Sequence, residues 1–185
     1  RFVEKNILGT LLHGNLVYNE NGLEFEIDPK AKPILKYPHK PEDDLTGCIT
    51  IVEKPIKDAT GVIPGKKRGD FYFITVDPFY NEDAEDVTSL FVAYVWKRGY
   101  NKYSATDKRV AWYICRTKKD IINLNLFKLA EFYNASIQSE IAGGGADIIA
   151  YARLKKKLEY LEYEPEMWHH KELESNAKAS RFESG

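Results

Sequence analysis

Residues 70–77 have the sequence Asp-Phe-Tyr-Phe-Ile-Thr-Val-Asp, and Pro78 follows them. Aromatic and β-branched side chains of this kind are typical of a β-strand, and proline cannot donate the backbone hydrogen bond that would extend it. The sequence therefore predicts a strand that ends at Asp77, where a sheet would meet its loops. An Asp-Pro pair is also a common start of a turn, so the position of Asp77 has a purely structural interpretation as well.

Further strands and helices are predicted on both sides of this stretch. Apolar residues at positions 126, 129, 130 and 133 have helical spacing, and the glycine triplet 143–145 precedes a helix predicted to run to about residue 160. Since strand–helix–strand crossovers join parallel strands and hairpins join antiparallel ones, an α/β fold with a mixed central sheet is expected. The other predicted strands are residues 48–53, 88–97, 109–117, 135–140 and 161–170.

The first 47 residues are predicted to form an N-terminal extended arm or linker. Residues 1–21 place apolar side chains at near-helical spacing, which predicts a short helix and a turn, and residues 22–47 hold four prolines among charges. Prolines at this density favour an extended connection. An α/β domain is then expected over residues 48–185. Because the chain starts with Arg1 instead of methionine, we expect it to be a piece of a longer protein.

Composition excludes several classes of protein. The 185 residues can form a core without disulfide bonds, and 27 Lys and Arg against 28 Asp and Glu give no strong overall field. Two distant cysteines and four histidines lack the spacings of a disulfide framework, a thiolate zinc site or a metalloprotease. No apolar run approaches 18 residues and no signal peptide begins the chain, so a soluble, cytoplasmic protein is expected.

Glu140 is the second acidic residue that ends a predicted strand. Alone, it could be a solvated acid, and the glycines at 143–145 could serve either a tight turn or the close approach of a metal or phosphate. The predicted topology places the strands of Asp77 and Glu140 side by side at the centre of the sheet. Open α/β sheets bind ligands at the carboxyl ends of their strands, so the two acids together predict a site.

Two neighbouring carboxylates need a shared proton or a cation. At about 4 Å their repulsion is about 4 kcal/mol for an effective dielectric constant near 20. Oxygen ligands without His or Cys favour Mg²⁺ or Mn²⁺, and two such ions can activate water and stabilise the leaving oxygen of a phosphodiester. Residues 77–86 contain five acids and no base, and Asp86 is the predicted auxiliary ligand. Asp147 is interpreted as an acid in the first turn of a helix.

A basic segment accompanies the acidic one. Residues 97–119 contain eight bases and one acid, together with aromatic side chains, on a predicted hairpin. Such a run can be a solvated surface, but it also suits contact with a phosphate backbone. The predicted DNA-binding residues are Lys97, Arg98, Lys102, Lys108, Arg109 and Arg116. Residues 61–67 fall one residue short of a phosphate loop and lack its Ser or Thr, so ATP hydrolysis is not predicted.

Three segments together resemble the nuclease domain of large terminase subunits of tailed bacteriophages. They are residues 49–55 (ITIVEKP), residues 72–78 (YFITVDP) with 86–89 (DVTS), and residues 136–151 (SIQSEIAGGGADIIAY). The last segment resembles the second acidic strand of that family and the helix that follows it. Residues 1–21 resemble the end of the ATPase domain that precedes the nuclease.

This resemblance implies a ribonuclease H-like fold and a metal-dependent endonuclease. Such an enzyme cuts concatemeric double-stranded viral DNA into genome lengths, inside the bacterial host, with a portal protein and a small terminase subunit as partners of the full-length protein. Asp77 and Glu140 match the first two ligands of Mg²⁺ or Mn²⁺ in the family. The third acid of the family lies on a downstream helix, for which Glu174 and Glu183 are poor substitutes, so the third ligand is expected outside this chain or is absent.

Two alternatives stay open. One is another ribonuclease H-like nuclease, such as a Holliday-junction resolvase or a transposase, which would prefer branched DNA. The other is a non-enzymatic module that binds DNA or docks onto a capsid portal. It would bind DNA without metal, and its affinity would fall steeply with salt.

Overall fold

A computed structural model describes residues 11–63, 68–78, 89–99, 106–139 and 144–162. These residues form one seven-stranded mixed sheet flanked by two α-helices. The strands are β1 Leu12–Asn19, β2 Gly22–Ile27, β3 Ile49–Ile51, β4 Tyr72–Asp77, β5 Phe91–Lys97, β6 Lys108–Cys115 and β7 Ser136–Gln138. The helices are α1 Lys119–Tyr133 and α2 Gly144–Leu154, and a 3-10 turn follows at Leu158–Tyr160. None of the described helices is long and apolar enough to cross a membrane.

The strands follow the order β2-β1-β3-β6-β5-β4-β7 across the sheet. All neighbours pair antiparallel except β4 and β7, which are parallel and joined through β5, β6 and α1. The predicted α/β class with a mixed sheet is therefore confirmed. Among the described strands, β4 and β7 lie at one end of this order and not at its centre, with β5 on one side of β4 and β7 on the other. Beyond β7, Leu161 forms a single parallel bridge with Ile137.

The N-terminal segment differs most from its prediction. Most of the predicted short helix falls on residues 1–10, which lie outside the described residues. The turn predicted after it is wrong, because residues 12–19 form a strand, β1, which pairs with β2 on one side and with β3 on the other. A Cβ atom on Gly14 would overlap the carbonyl of Glu26, so glycine serves close strand approach here instead of a turn. The sheet thus crosses the predicted boundary at residue 47, and residues 12–27 are part of the sheet instead of an extended arm.

Alternate side chains of the sheet divide between its two faces. Tyr72 and Ile74 of β4 and Ala93 of β5 are fully buried in one core cluster with Leu126 and Phe127 of helix α1. The helix predicted from the apolar spacing, over residues 123–133, is confirmed and begins four residues earlier, at Lys119. It ends at Tyr133 and is capped by Asn134, whose backbone is left-handed (φ 49°) and whose N–H donates to the carbonyls of Ala130 and Glu131.

Helix α2 lies against α1, and its end corrects a second prediction. The rings of Phe127 and Tyr151 stack with centroids 5.4 Å apart. The helix ends at Leu154, short of the expected residue 160, because Lys156 adopts a left-handed backbone (φ 55°) before the 3-10 turn. The strand predicted over residues 161–170 is described only to Glu162, which accepts hydrogen bonds from Ser136 Oγ and Gln138 Nε2, both at 2.7 Å.

Leu126 provides a test of this packing. Because the side chain is fully buried, Leu126→Ala should leave a cavity and lower the free energy of unfolding by about 2–5 kcal/mol. Leu124→Ala on the same helix is the matched control, since Leu124 is 44% exposed and should change stability by less than about 1 kcal/mol. Urea denaturation followed by circular dichroism measures both. Equal losses would contradict the assigned face of α1.

Candidate functional site

Asp77 is the last residue of β4, is exposed, and pairs with Val92 of the antiparallel neighbour β5. On its other side β4 pairs in parallel with β7, in the register Phe73↔Ser136, Ile74↔Ile137 and Thr75↔Gln138. The prediction that a strand ends at Asp77 is confirmed, and so is the prediction that the two acidic strands are neighbours. We call the side of the sheet where β4 ends, next to the start of β5 at Phe91 and the end of β6 at Cys115, the Asp77 edge.

Glu140 and Asp86 lie outside the described residues, so their distance from Asp77 stays a prediction. The description of this strand ends at Ser139, one residue after Gln138. Within the described ranges, no group of three or more His, Cys, Asp or Glu side chains is placed to hold a metal ion. The described residues include Asp77 but not Asp86 or Glu140, so this finding does not test the predicted three-residue site.

Both helices begin close to Asp77. A cleft lies between the starts of α1 and α2, next to Pro78, which follows Asp77. Its lining residues are Pro78, Phe91, Lys119, Ile122, Asn123, Gly144, Asp147 and Ile148. Asp147 lies in the first turn of α2, as predicted, and its carboxylate forms an ion pair with Lys119 Nζ at 2.9 Å.

The predicted basic residues do not form one surface beside the acidic site. Tyr72 at the start of β4 pairs with Lys97, whereas Asp77 at its end pairs with Val92. Lys97 is therefore roughly 17 Å from the Asp77 edge along the strand. Lys97 in turn pairs in register with Lys108, and both ammonium groups contact the carboxylate of Glu53, Lys108 at 3.0 Å.

The two arginines of this far side also have partners. Arg98 Nε donates to the carbonyl of Gly69 at 2.8 Å, and its guanidinium lies 4.5 Å from the centre of the Phe73 ring. The guanidinium of Arg109 lies over two neighbouring rings, 4.9 Å from the centre of Tyr94 and 4.8 Å from the centre of Trp112. Lys102 lies outside the described residues. The structure thus shows Arg98 and Arg109 held against aromatic rings, and their contact with DNA stays a prediction.

Arg116 is the one described member of the predicted set that lies at the Asp77 edge. It follows Cys115, which pairs with Phe91, and its guanidinium donates to the carbonyl of Ser89 at 2.8 Å. The exposed Lys118 and the half-buried Lys119 come next along the chain, at the start of α1. Three bases therefore stand near Asp77, separate from the group around Glu53.

Asn123 is a residue that the sequence patterns do not single out. It lies on the buried face of α1 with Ile122 and Leu126, is 5% exposed, and lines the cleft. The available signal was a polar side chain at a position where the helical repeat otherwise places apolar ones. That signal alone does not distinguish a buried site from a slightly misplaced surface residue.

Burial and charge act in opposite directions on Glu53. Partial burial raises the pKa of Glu53, but hydrogen bonds and charge from Lys97 and Lys108 outweigh it and hold this pKa below the ordinary value of 4.5. The three side chains join β5 and β6 to the chain that leaves β3. They therefore have a structural role on the side of the sheet away from Asp77.

Comparison of this chain with models of protein families, with curated proteins and with solved structures finds no match. The interpretation of the site therefore depends on the chemistry of its residues and on the topology that positions them.

The Glu53 cluster predicts a dependence of stability on pH. Because the folded-state pKa of Glu53 is lowered, its contribution is complete above the unfolded pKa near 4.5 and is lost as the pH falls through the lower folded value. Glu53→Gln should lower the free energy of unfolding by about 1 kcal/mol at pH 7, and by much less at pH 3. Thermal melts across this range measure the difference.

The matched control is Glu159→Gln, since Glu159 is exposed on the 3-10 turn. Its melting temperature should follow that of the wild type at every pH. A Glu53→Gln deficit that persists unchanged in acid would show that the cluster does not depend on the ionised carboxylate.

Proposed function

We propose that this chain is a metal-dependent endonuclease with a ribonuclease H-like fold, of the kind found in the large terminase subunits of tailed bacteriophages. The observation that carries the proposal is the parallel pairing of β4 with β7. From the paired residues Thr75 and Gln138, the chain reaches Asp77 and Glu140 after two further residues on each strand. Because parallel strands run in the same direction, this register favours two carboxylates at the Asp77 edge.

The strand order supports the ribonuclease H-like fold. Three consecutive antiparallel strands form the order β6-β5-β4, helix α1 crosses over, and β7 returns parallel to β4 before helix α2. This order places the first and the fourth of these strands next to each other. A sheet in which the fourth strand paired with β6 instead would separate the two acids by the width of two strands.

The donors that the proposal assembles suit a hard divalent cation. Asp77 and Glu140, with Asp86 as an auxiliary ligand, would hold Mg²⁺ or Mn²⁺ through carboxylate oxygens. Cys115 lies near this edge, but burial raises the pKa of its thiol to about 12, so it stays protonated and offers no thiolate. Two bound metal ions would supply an activated water and neutralise charge on the scissile phosphodiester. Asp77 is exposed, so it is accessible to such a substrate.

The basic residues support DNA as the substrate in two groups. Arg116 and Lys118 would contact phosphates next to the cleavage site. Lys97, Arg98, Lys108 and Arg109 lie roughly 17 Å away along the strands, which corresponds to about five base pairs of a duplex. A double helix lying across the sheet would thus reach both groups, whereas a mononucleotide would not.

Loss of either carboxylate should abolish cutting. Asp77→Asn and Glu140→Gln should each reduce the nicking of supercoiled plasmid with Mg²⁺ or Mn²⁺ by about a hundredfold or more, because each change removes one charged metal ligand. Gel electrophoresis of the plasmid measures the rate. Asp70→Asn is the matched control, since Asp70 precedes the opposite end of the same strand, and it should leave the rate within about threefold.

Wild-type rates in both carboxylate variants would exclude the proposed site. Faster cutting of branched than of linear duplexes would favour a resolvase-type nuclease, and DNA binding without cutting would favour a non-enzymatic module.

Metal binding is measurable without DNA. An ion that binds only the folded chain stabilises it by about 2.7 kcal/mol at a hundred times its dissociation constant, which corresponds to a rise of roughly 5–10 °C in melting temperature. Mn²⁺ should produce this rise in the wild type and in Asp70→Asn but not in Asp77→Asn. An equal rise in all three proteins would place the ion elsewhere.

A further inference from the structure

The cleft between the two helix starts contains an unusual buried group. The structure describes three buried polar side chains, Thr50, Asn123 and Ser136. Thr50 Oγ1 is hydrogen-bonded to His13 Nδ1 at 3.0 Å, and Ser136 Oγ donates to Glu162 at 2.7 Å. Among the described residues, the side-chain amide of Asn123 has no hydrogen-bond partner, although it is 5% exposed.

An unpaired buried amide is costly. It destabilises a fold because its hydrogen bonds to water are lost and not replaced, and the large majority of buried polar atoms in native proteins have a protein or water partner. Two residues further along the same helix, Asn125 Nδ2 donates to the hydroxyl of Tyr113 at 3.1 Å. The amide of Asn125 is therefore hydrogen-bonded within the fold, whereas Asn123 lines the cleft. This contrast indicates that the amide of Asn123 forms a hydrogen bond with a group that enters the cleft.

The charges around the cleft favour an anion. Residues near the starts of α1, with 15 residues, and α2, with 11 residues, both line it, so the positive ends of two helix dipoles lie at the cleft. Lys118 at the N-cap of α1 makes no side-chain hydrogen bond to the first turn, while its carbonyl accepts from the N–H groups of Ile121 and Ile122. Among the described residues that line the cleft, Asp147 is the one carboxylate, and Lys119 neutralises it in an ion pair at 2.9 Å, which weakens the attraction that this residue would offer a cation.

The size and position of the cleft define the ligand further. Its volume is about 10 Å³, close to what a single water molecule or one oxygen atom of a larger group requires. Pro78 forms one wall, so a group seated there lies directly beside Asp77. A tetrahedral oxyanion that inserts one oxygen and keeps its other atoms outside fits both constraints.

We propose that Asn123 is a phosphate-positioning residue: its amide Nδ2 donates to one non-bridging oxygen of a DNA backbone phosphate seated at the cleft between the starts of α1 and α2. This inference rests on the proposed nuclease function, which supplies the substrate and the role of Asp77. The contact would fix the register of the duplex relative to the metal ligands without taking part in bond cleavage. Lys119 would stay paired with Asp147 at 2.9 Å, so this carboxylate would not repel the phosphate.

The decisive variant is Asn123→Leu, which keeps the volume and removes the amide. Because the unpaired amide is lost, the melting temperature of the free protein should stay equal or rise, while affinity for a 20-base-pair duplex in EDTA should fall roughly tenfold or more. Fluorescence anisotropy measures the affinity. Asn125→Leu is the matched control on the same helix, and it should lose stability without losing DNA affinity beyond about twofold.

A second measurement does not depend on any variant. In the wild-type chain with EDTA, the side-chain ¹⁵N–¹H signals of Asn123 should shift on titration with inorganic phosphate and with the duplex, but not with sodium chloride. Unchanged signals together with wild-type affinity in Asn123→Leu would show that the cleft holds water only, and a response to MgCl₂ in the absence of EDTA but not to phosphate would show a cation site. Either result overturns the inference.

The two proposals fail in distinguishable ways. Metal-dependent nicking with full DNA affinity in Asn123→Leu would leave the nuclease in place and remove the role of Asn123. Loss of DNA affinity in Asn123→Leu, with no nicking by the wild type under any divalent ion, would leave the phosphate site in place and remove the nuclease.

Discussion

The parallel pairing of β4 with β7 is the constraint on which the rest of the site depends. Parallel strands need a crossover, and α1 provides it by packing Leu126 and Phe127 onto the sheet. Close contacts then hold the register: a Cβ atom on Gly69, whose φ is +83°, would lie 2.6 Å from Ser136 Oγ. Antiparallel pairing at the same place would send the residues after Gln138 away from Asp77, so the direction of this one pair decides whether two acidic strand ends can meet.

Helix α1 connects the two sides of the molecule. At its carboxyl end, Tyr133 donates its hydroxyl to the carbonyl of Glu53 at 2.7 Å and packs edge-on against Tyr72 at 5.2 Å. These contacts hold the carboxyl end of the helix, and its first turn lies at the Asp77 edge. At this first part of the helix, Asn123 lies on the buried face, which is otherwise mostly apolar. Stability and the candidate site thus come from different ends of the same amphipathic helix.

Charge is segregated by the antiparallel hairpin of β5 and β6. Bases near its tip, such as Lys97 and Lys108, fall on the side away from Asp77 and share Glu53, while Arg116 at the end of β6 falls on the Asp77 edge. A run that is continuous in sequence is therefore divided in space, because each strand carries the chain roughly 20 Å before it reverses. Although the overall charge is nearly neutral, the bases form two separate groups, one around Glu53 and one that includes Arg116 at the Asp77 edge.

Local sequence determined the strand that ends at Asp77, the helix with apolar residues at positions 126, 129, 130 and 133, and the mixed character of the sheet, because these depend on composition and on the spacing of nearby residues. Local pattern was wrong for residues 12–27, where it predicts a turn and an extended connection but pairing of distant segments forms β1 and β2. Only the tertiary structure decided that β7 pairs with β4 at one end of the described strand order, that the bases divide, and that Asn123 is buried with no hydrogen-bond partner among the described residues. Each of these is set by which distant segments pack together, and no property of a short stretch of chain contains that information.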